Sequence, residues 1–316
     1  MILYVVKIEI LPIIYYNEYM KYLSVSEIAK LWNISERSVR NYCASGRIPE
    51  VFLTGKTWNI PENAVKPDRK NMHIDKPKTF LDILKYEMNN KIKGGIYHKI
   101  QIDFTYNSNH IEGSRLTHEQ TRYIYETNSI GIEKNTISIN DIMESVNHFR
   151  CIDLVIDRAN FQLSENFIKK LHFILKTGTS SSNNERFVVG DYKKYPNIVG
   201  NMETVKPENV AKEMQMLLKR YNECNKCKTL TDILNFHYEF EKIHPFQDGN
   251  GRIGRLIMFK ECLKNNIVPF IIYDDLKLFY YRGLNEWNNE KGYLIDTCLS
   301  AQDRFKTYLD YFKINY

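Results

Sequence analysis

Residues 244–255 read HPFQDGNGRIGR, a stretch that gathers one histidine, one aspartate, one asparagine, two arginines and three glycines. Each type meets one demand of polyphosphate chemistry. His244 carries an imidazole, the side chain suited to taking a proton from an incoming hydroxyl near neutral pH. Asp248 is a hard carboxylate, fit for a Mg²⁺ ion shared with phosphate oxygens. Gly249 and Gly251 let the backbone approach an anion closely, and a helix starting there would add its dipole. Arg252 and Arg255 stand three apart on that helix, where both could face one side and offer planar, bidentate donors. Asn250 supplies a further donor. Singly, each has an ordinary explanation: a structural histidine, a turn, a solvated pair of arginines. In this order they point to attack of a hydroxyl on a nucleotide phosphate.

Such a constellation needs rigid elements on both sides. LTDILNFHYEFEKI (230–243) sets Ile233, Phe236, Phe240 and Ile243 on one helical face, and RIGRLIMFKECLKN (252–265) is helical again. HPFQDGNG is therefore a loop between two helices. FLDILKYEMNNKI, LTHEQTRYIYET, INDIMESVNHFRCIDLVIDRA, SENFIKKLHFIL and PENVAKEMQMLLKRYNEC repeat the three- and four-residue apolar spacing. The expected class is mainly α over residues 81–316. RFVVGDYKKYPNIVGN (186–201) is the exception, with β-branched runs around a GDYKKYP centre that predict a small β-hairpin.

HPFQDGNGRIGR resembles the signature of the Fic family, H-x-F-x-[D/E]-G-N-G-R-x-x-R, at every defined position. The resemblance implies an all-helical core over about residues 90–316. It also implies transfer of AMP from ATP to a Ser, Thr or Tyr hydroxyl of a protein, the chain itself being one candidate substrate. His244 would be the catalytic base and Asp248 the Mg²⁺ ligand. Gly249, Asn250, Gly251 and Arg252 would form the anion nest, Arg255 would hold the γ-phosphate, and Phe246 would anchor the loop. Gly249 and Gly251 match the AMP-transferring pattern and not the degenerate motif of the phosphate-transferring Doc branch.

SNHIEG (108–113) resembles the family's inhibitory motif, [S/T]-x-x-x-E-[G/N], and assigns Ser108, Glu112 and Gly113 to an inhibitory helix near 105–115, ahead of the core. Glu112 would there occupy the Arg255 guanidinium that the γ-phosphate needs. Some relatives use this glutamate to position a water that removes AMP, so de-AMPylation is a second implied reaction. The family aligns its targets on a hairpin flap by β-augmentation, and 186–201 is the expected flap.

Residues 20–66 have a different character. Ser24 and Glu27 form a capping-box pattern, Val25, Ile28, Ala29 and Leu31 supply an apolar stripe, and Trp32-Asn33-Ile34 fits a turn. Ser35 caps a second helix, in which Val39 faces inward while Arg37, Ser38, Arg40 and Asn41 face out. VFLTGKTWNI (51–60) fits a hairpin around Gly55-Lys56. The whole resembles the winged helix-turn-helix of excisionase-like and MerR-like regulators, whose second helix enters the DNA major groove. Between residues 20 and 70 there are nine Lys/Arg against five Asp/Glu, so this stretch holds four of the chain's six net positive charges. A concentrated basic excess is the footprint of phosphate contact, although such modules also dock proteins. Residues 67–80, with their prolines and charge run, are the expected linker.

With 316 residues, the chain is long enough for two domains, and 43% hydrophobic with 26% charged residues is ordinary for a globular protein. The six cysteines are scattered; Cys224 and Cys227 form a lone C-x-x-C, a weak zinc signal. Residues 1–19 are apolar but interrupted by Lys7 and Glu9, and read as an extra strand or as translated sequence upstream of a start at Met20. No segment reads as membrane-spanning, and a cytoplasmic location is expected. ATP, a protein substrate and DNA are the expected partners, with room for a homo-oligomer. The rival reading is a DNA-binding transcriptional regulator that uses the Fic fold as a nucleotide sensor, which would need no base beside the phosphate.

Overall fold

The computed structural model describes residues 21–67, 79–130, 136–199, 202–223 and 227–316. The N-terminal extension, most of the expected linker and Cys224 lie outside the described residues. The chain divides into two compact units, Met1–Asp75 and Lys76–Tyr316.

In the first unit, α1 (Val25–Trp32) and α2 (Glu36–Ala44) are joined by a tight turn. Ser24 and Glu27 complete the predicted capping box, and Asn33 closes α1 in the left-handed conformation. The inward stripe is Val25, Ile28, Ala29 and Trp32, the spacing of one helical face. Leu31 is 63% exposed, so the predicted stripe needs one correction: Trp32 ends the helix and enters the core in its place. Val39 is fully buried, Arg37, Arg40 and Asn41 are exposed, and Ser38 is half-buried against its cap Ser35. The hairpin of β2 (Phe52–Thr54) and β3 (Thr57–Pro61) turns at Gly55, whose φ of 64° suits glycine. A short β1 (Tyr22–Leu23) adds to β3, giving a three-stranded antiparallel sheet in the order β1-β3-β2.

The second unit is helical: α3 (Phe80–Asn90), α4 (Ile96–Ile111), α5 (His118–Thr127), α6 (Ile139–Asp157), α7 (Glu165–Lys176), α8 (Pro207–Glu223), α9 (Leu230–Ile243), α10 (Asn250–Lys264), α11 (Lys277–Asn285) and α12 (Gly292–Tyr311). The mainly helical class expected from the sequence is thus the one observed. Helix α10 is central, with 13 of its 15 residues buried against α9, α6, α4 and α7. A helix buried on every side has no solvent face, so its apolar residues run all round it and even its charged Lys260 and Glu261 are buried, as an ion pair at 2.7 Å.

The predicted hairpin at 186–201 requires a correction. Among the described residues of this region, β4 (Ile198–Val199) and β5 (Met202–Glu203) are the pair that forms, so the ladder begins near the end of that segment. The backbone ahead of it is engaged elsewhere. Gly190 donates its N–H to His172 Nδ1 at 2.9 Å, and Lys193 donates its own to the Pro245 carbonyl at 2.9 Å. Residues 187–197 therefore line the motif loop and do not form strand.

Candidate active site

The motif loop is built between the C-terminus of α9 and the N-terminus of α10. His244 is the left-handed cap of α9, at φ 51°, and its N–H donates to Phe240. Phe246 is fully buried and stacks on His172, with ring centroids 3.9 Å apart. The His172 Nε2 donates to the Asp248 carbonyl at 3.1 Å, while its Nδ1 accepts from Gly190, so these partners fix a neutral tautomer. Burial lowers the His172 pKa to about 4, in keeping with that form.

Asn250 differs from its expected role. It is 1% exposed, its amide donates to the Phe246 carbonyl at 2.9 Å, and its Oδ1 accepts from the Phe246 N–H at 2.8 Å. The side chain closes the loop on itself, using its Oδ1 and one of its two N–H donors on Phe246.

Gly249, at φ 86°, turns the chain into α10, and no side chain caps that helix. Its first N–H groups are the open donors that favour an anion. A Cβ on Gly251 would lie 2.3 Å from Glu112 Oε1, so the missing side chain makes room for a carboxylate there.

That carboxylate comes from the end of α4. Glu112 is the C-cap of α4, and Gly113, at φ 97°, breaks the chain away behind it. Arg255 donates to Glu112 Oε1 at 2.7 Å, and to the Ser108 hydroxyl and carbonyl at 3.0 and 2.9 Å. Arg255 is 3% exposed. Burial would raise the Glu112 pKa, but Arg255 and Arg252 outweigh it and hold the group below its ordinary value. Ser108, Glu112 and Arg255, 147 positions apart at the extreme, are thus brought together as the spacing implied.

Arg252 and Arg255 do not share one fork, contrary to expectation. Arg252 turns to Glu144 of α6 and to Asp248, and Arg255 turns to α4. Each is drawn to carboxylates on a different neighbouring helix. Asp248 accepts from Lys176 at 2.6 Å and from the Gly249 N–H at 2.6 Å. Lys176 also donates to Glu144, which closes a ring of alternating charge: Lys176, Glu144, Arg252, Asp248. Burial opposes ionisation of Asp248, but Arg252 and Lys176 prevail and lower its pKa to about 2. The side chain keeps 43% exposure, so an ionised hard oxygen faces solvent at the rim. One such carboxylate fits a Mg²⁺ ion held mainly by phosphates and water. Among the described residues, no group of three or more His, Cys, Asp or Glu could form an all-protein cage.

His244 is half-buried at the other side of the loop. Burial, and then the nearby Lys193, lower its pKa to about 4, which leaves the imidazole neutral at physiological pH. Behind Arg255, Glu241 on α9 is pushed up to about 8 by burial. It lines a cavity of about 320 Å³ with Tyr238, Tyr281, Leu284, Asn285 and Asn288. Sequence reasoning missed Glu144, His172, Lys176 and Glu241, which look like ordinary polar positions on amphipathic helices, and Lys193, which looks like an ordinary polar residue at the centre of the expected hairpin. Arg37, Ser38, Arg40 and Asn41 belong to the first unit.

Comparison with known proteins accords with this geometry. Residues 162–262 match the Fic/DOC family, and residues 22–66 match a helix-turn-helix domain. The protein adenylyltransferase Fic of Nematostella vectensis is 25% identical over 190 residues, which cover 58% of this chain and 42% of that protein. The protein adenylyltransferase fic-1 of Caenorhabditis elegans is 24% identical over 189 residues, covering 58% and 36%. The chain therefore matches less than half the length of these curated relatives. In fold it is similar to a Fic domain containing signaling protein from Bacteroides thetaiotaomicron, with a TM-score of 0.59 and 22% identity over 73% of this chain and 94% of that one. A Fic family protein from Desulfovibrio desulfuricans gives a TM-score of 0.57 at 21% identity, over 75% and 74%. Together, motif, geometry and comparison identify a Fic/DOC domain at residues 162–262 of this chain and a helix-turn-helix domain at residues 22–66.

Proposed function

We propose that the chain is an autoinhibited protein adenylyltransferase, moving AMP from ATP to a hydroxyl of a protein. The observation that carries this reading is the seat of Glu112: a carboxylate held against Arg255 at 2.7 Å, over Gly251, at the uncapped start of α10. An anion of the protein's own occupies the place where a helix terminus and a buried arginine would receive a phosphate. ATP would lay its phosphates along the start of α10 and its base in the adjoining cavity between Tyr238 and Tyr281.

The neutral His244 is suited to take the proton of the target hydroxyl. The hydroxyl oxygen then bonds to the α-phosphorus, the bond from that phosphorus to the bridging oxygen breaks, and pyrophosphate leaves. Mg²⁺, held by Asp248, would offset the charge of the phosphates. Arg255 would steady the γ-phosphate once Glu112 yields, and Arg252 the charge nearer the α-phosphorus. The three open amides of the first turn complete the oxyanion support.

The helix-turn-helix match favours a second, compatible reading, in which the first unit brings this activity to DNA through Arg37, Ser38, Arg40 and Asn41. A sensor without catalysis accounts less well for a neutral histidine at the mouth of the phosphate site.

The test is to incubate the purified chain and Glu112→Gly with Mg²⁺ and ATP labelled at the α- or the γ-phosphate. Label should reach protein from the α-position only. Glu112→Gly should be faster by about tenfold to a thousandfold, because a partly buried ion pair is worth a few kcal/mol when one member is deleted. Arg255→Ala should gain nothing, and the double variant should behave like Arg255→Ala. Transfer of the γ-label, or equal rates for wild type and Glu112→Gly, would overturn the reading.

A further inference from the structure

The segment that lines the motif loop contains a buried cation with no acidic partner among its hydrogen bonds. Lys193 is 3% exposed. Its Nζ donates to Asn197 Oδ1 at 2.7 Å, to Thr204 Oγ1 at 2.6 Å and to the Ile243 carbonyl at 3.4 Å. Its backbone N–H donates to the Pro245 carbonyl. One residue thus touches the chain entering the hairpin, the chain leaving it, and both neighbours of His244. All three acceptors of the ammonium are neutral oxygens, a poor exchange for water, and burial lowers the Lys193 pKa to about 8. No carboxylate among its hydrogen bonds offsets the burial of the charge, and two local roles stand out. The ammonium caps the carbonyl end of α9, where the helix dipole favours a cation. It also clasps Asn197 to Thr204 across the base of β4 and β5.

We propose that Lys193 is a positioning residue for the transfer reaction, locking the stem of the hairpin to the end of α9 and holding a positive charge beside His244. The inference rests on His244 being the base. His244 is faced by Lys193 from this segment, by Glu112 from the end of α4, by Asp248 from the motif loop and by the Glu241 carbonyl of its own helix. The last three favour the imidazolium; burial opposes it most, and Lys193 adds to burial in keeping the ring in the form that accepts a proton.

The experiment follows the His244 ring by NMR as a function of pH in the full chain, its resonance identified by its loss in His244→Ala. Lys193→Met should raise the His244 midpoint by about one pH unit, the effect of losing a close charge. Lys193→Arg, which keeps charge and donors, should leave it in place, and Lys193→Gln serves if the Met variant does not fold. In the Glu112→Gly background, the acid limb of the AMP-transfer rate should move up by the same amount in Lys193→Met. Thr204→Val with Asn197→Ala keeps the cation and its bond to Ile243 but cuts its ties to the hairpin stem, together with the direct Thr204–Asn197 and Asn197–Phe246 bonds. It should leave the titration unchanged while amide exchange across 198–203 quickens at least tenfold. A folded Lys193→Met or Lys193→Gln with an unmoved His244 midpoint overturns the electrostatic role, and unchanged exchange in the double variant overturns the lock. Intact AMP transfer alongside either failure would sink the role of Lys193 alone. Absence of AMP transfer from the Glu112→Gly chain would sink the reaction and this role with it.

Discussion

At the scale of single residues, the motif loop separates groups left to act on a substrate from groups that hold the loop. His244 and Asp248 belong to the first kind, Phe246 and Asn250 to the second. Replacing His244 by Ala should slow AMP transfer by about 10²–10⁴-fold with little change in nucleotide affinity, because the imidazole acts on the hydroxyl. Comparable rates in a labelled-ATP assay would remove it as base. Asn250→Ala should act through the fold. It leaves the Phe246 N–H unpaired in a buried loop and the carbonyl with Asn197 alone as donor, which costs about 1–3 kcal/mol of stability. Urea unfolding measures that loss, and a variant as stable as wild type would show that water replaces the clasp.

Elements position what residues supply. The start of α10 works because Gly251 leaves space over the first turn. Gly251→Ala places a methyl 2.3 Å from Glu112 Oε1 and 3.0 Å from an Arg255 nitrogen. The carboxylate must move, yet the methyl also covers the seat of the phosphate. Activation is therefore not expected: Gly251→Ala should bind ATP poorly by calorimetry in both the wild-type and Glu112→Gly backgrounds. Wild-type affinity would mean that the phosphates do not approach this turn. In the helix-turn-helix unit, Arg37 is exposed on α2. Arg40 is committed only to an exposed pair with Glu36 at 2.7 Å, worth little against a phosphate. If α2 meets DNA, Arg37→Ala should weaken binding and reduce the salt slope by about 1. An unchanged slope would turn the unit into a protein-docking module.

Across the second unit, buried histidines make the fold sensitive to acid. Burial lowers the pKa of His172 and His244 to about 4 and of His237 to about 3, and that of His148 goes well below its ordinary 6.5. The unfolded chain takes up these protons first, so the stability present above pH 6.5 is lost as the pH falls towards 4. Glu241 runs the other way. Its pKa is raised to about 8, so its contribution is lost as the pH rises from 4.5 to 8. Four histidines outweigh one glutamate below pH 6.5, each at up to about 1.4 kcal/mol per pH unit. The thermal midpoint should therefore drop between pH 6.5 and 4, with a shallower slope in His237→Asn. A flat profile would mean that these histidines are solvated.

What the amino-acid sequence determined by itself was local. Caps and apolar spacing marked α3, α5, α6, α7, α8 and α9, and twelve residues carried the chemistry of the motif. These signals lie within one or two turns, where backbone geometry dictates which side chains meet. Helix α4 was only partly legible. It is buried on every side and packs polar residues, Gln101, Thr105, Ser108 and Asn109 among them, against partners on other helices, so no apolar stripe marks its length. Tertiary structure alone decided the rest. It turned Asn250 inward, parted Arg252 from Arg255, and closed the charge ring through Glu144 and Lys176, 32 positions apart. It also drew residues 187–197 onto the motif loop and α7, where Lys193 donates to the Pro245 carbonyl and Gly190 to His172 in place of a strand partner. The pairing of charges between helices depends on which faces pack, and that is a property of the assembled core.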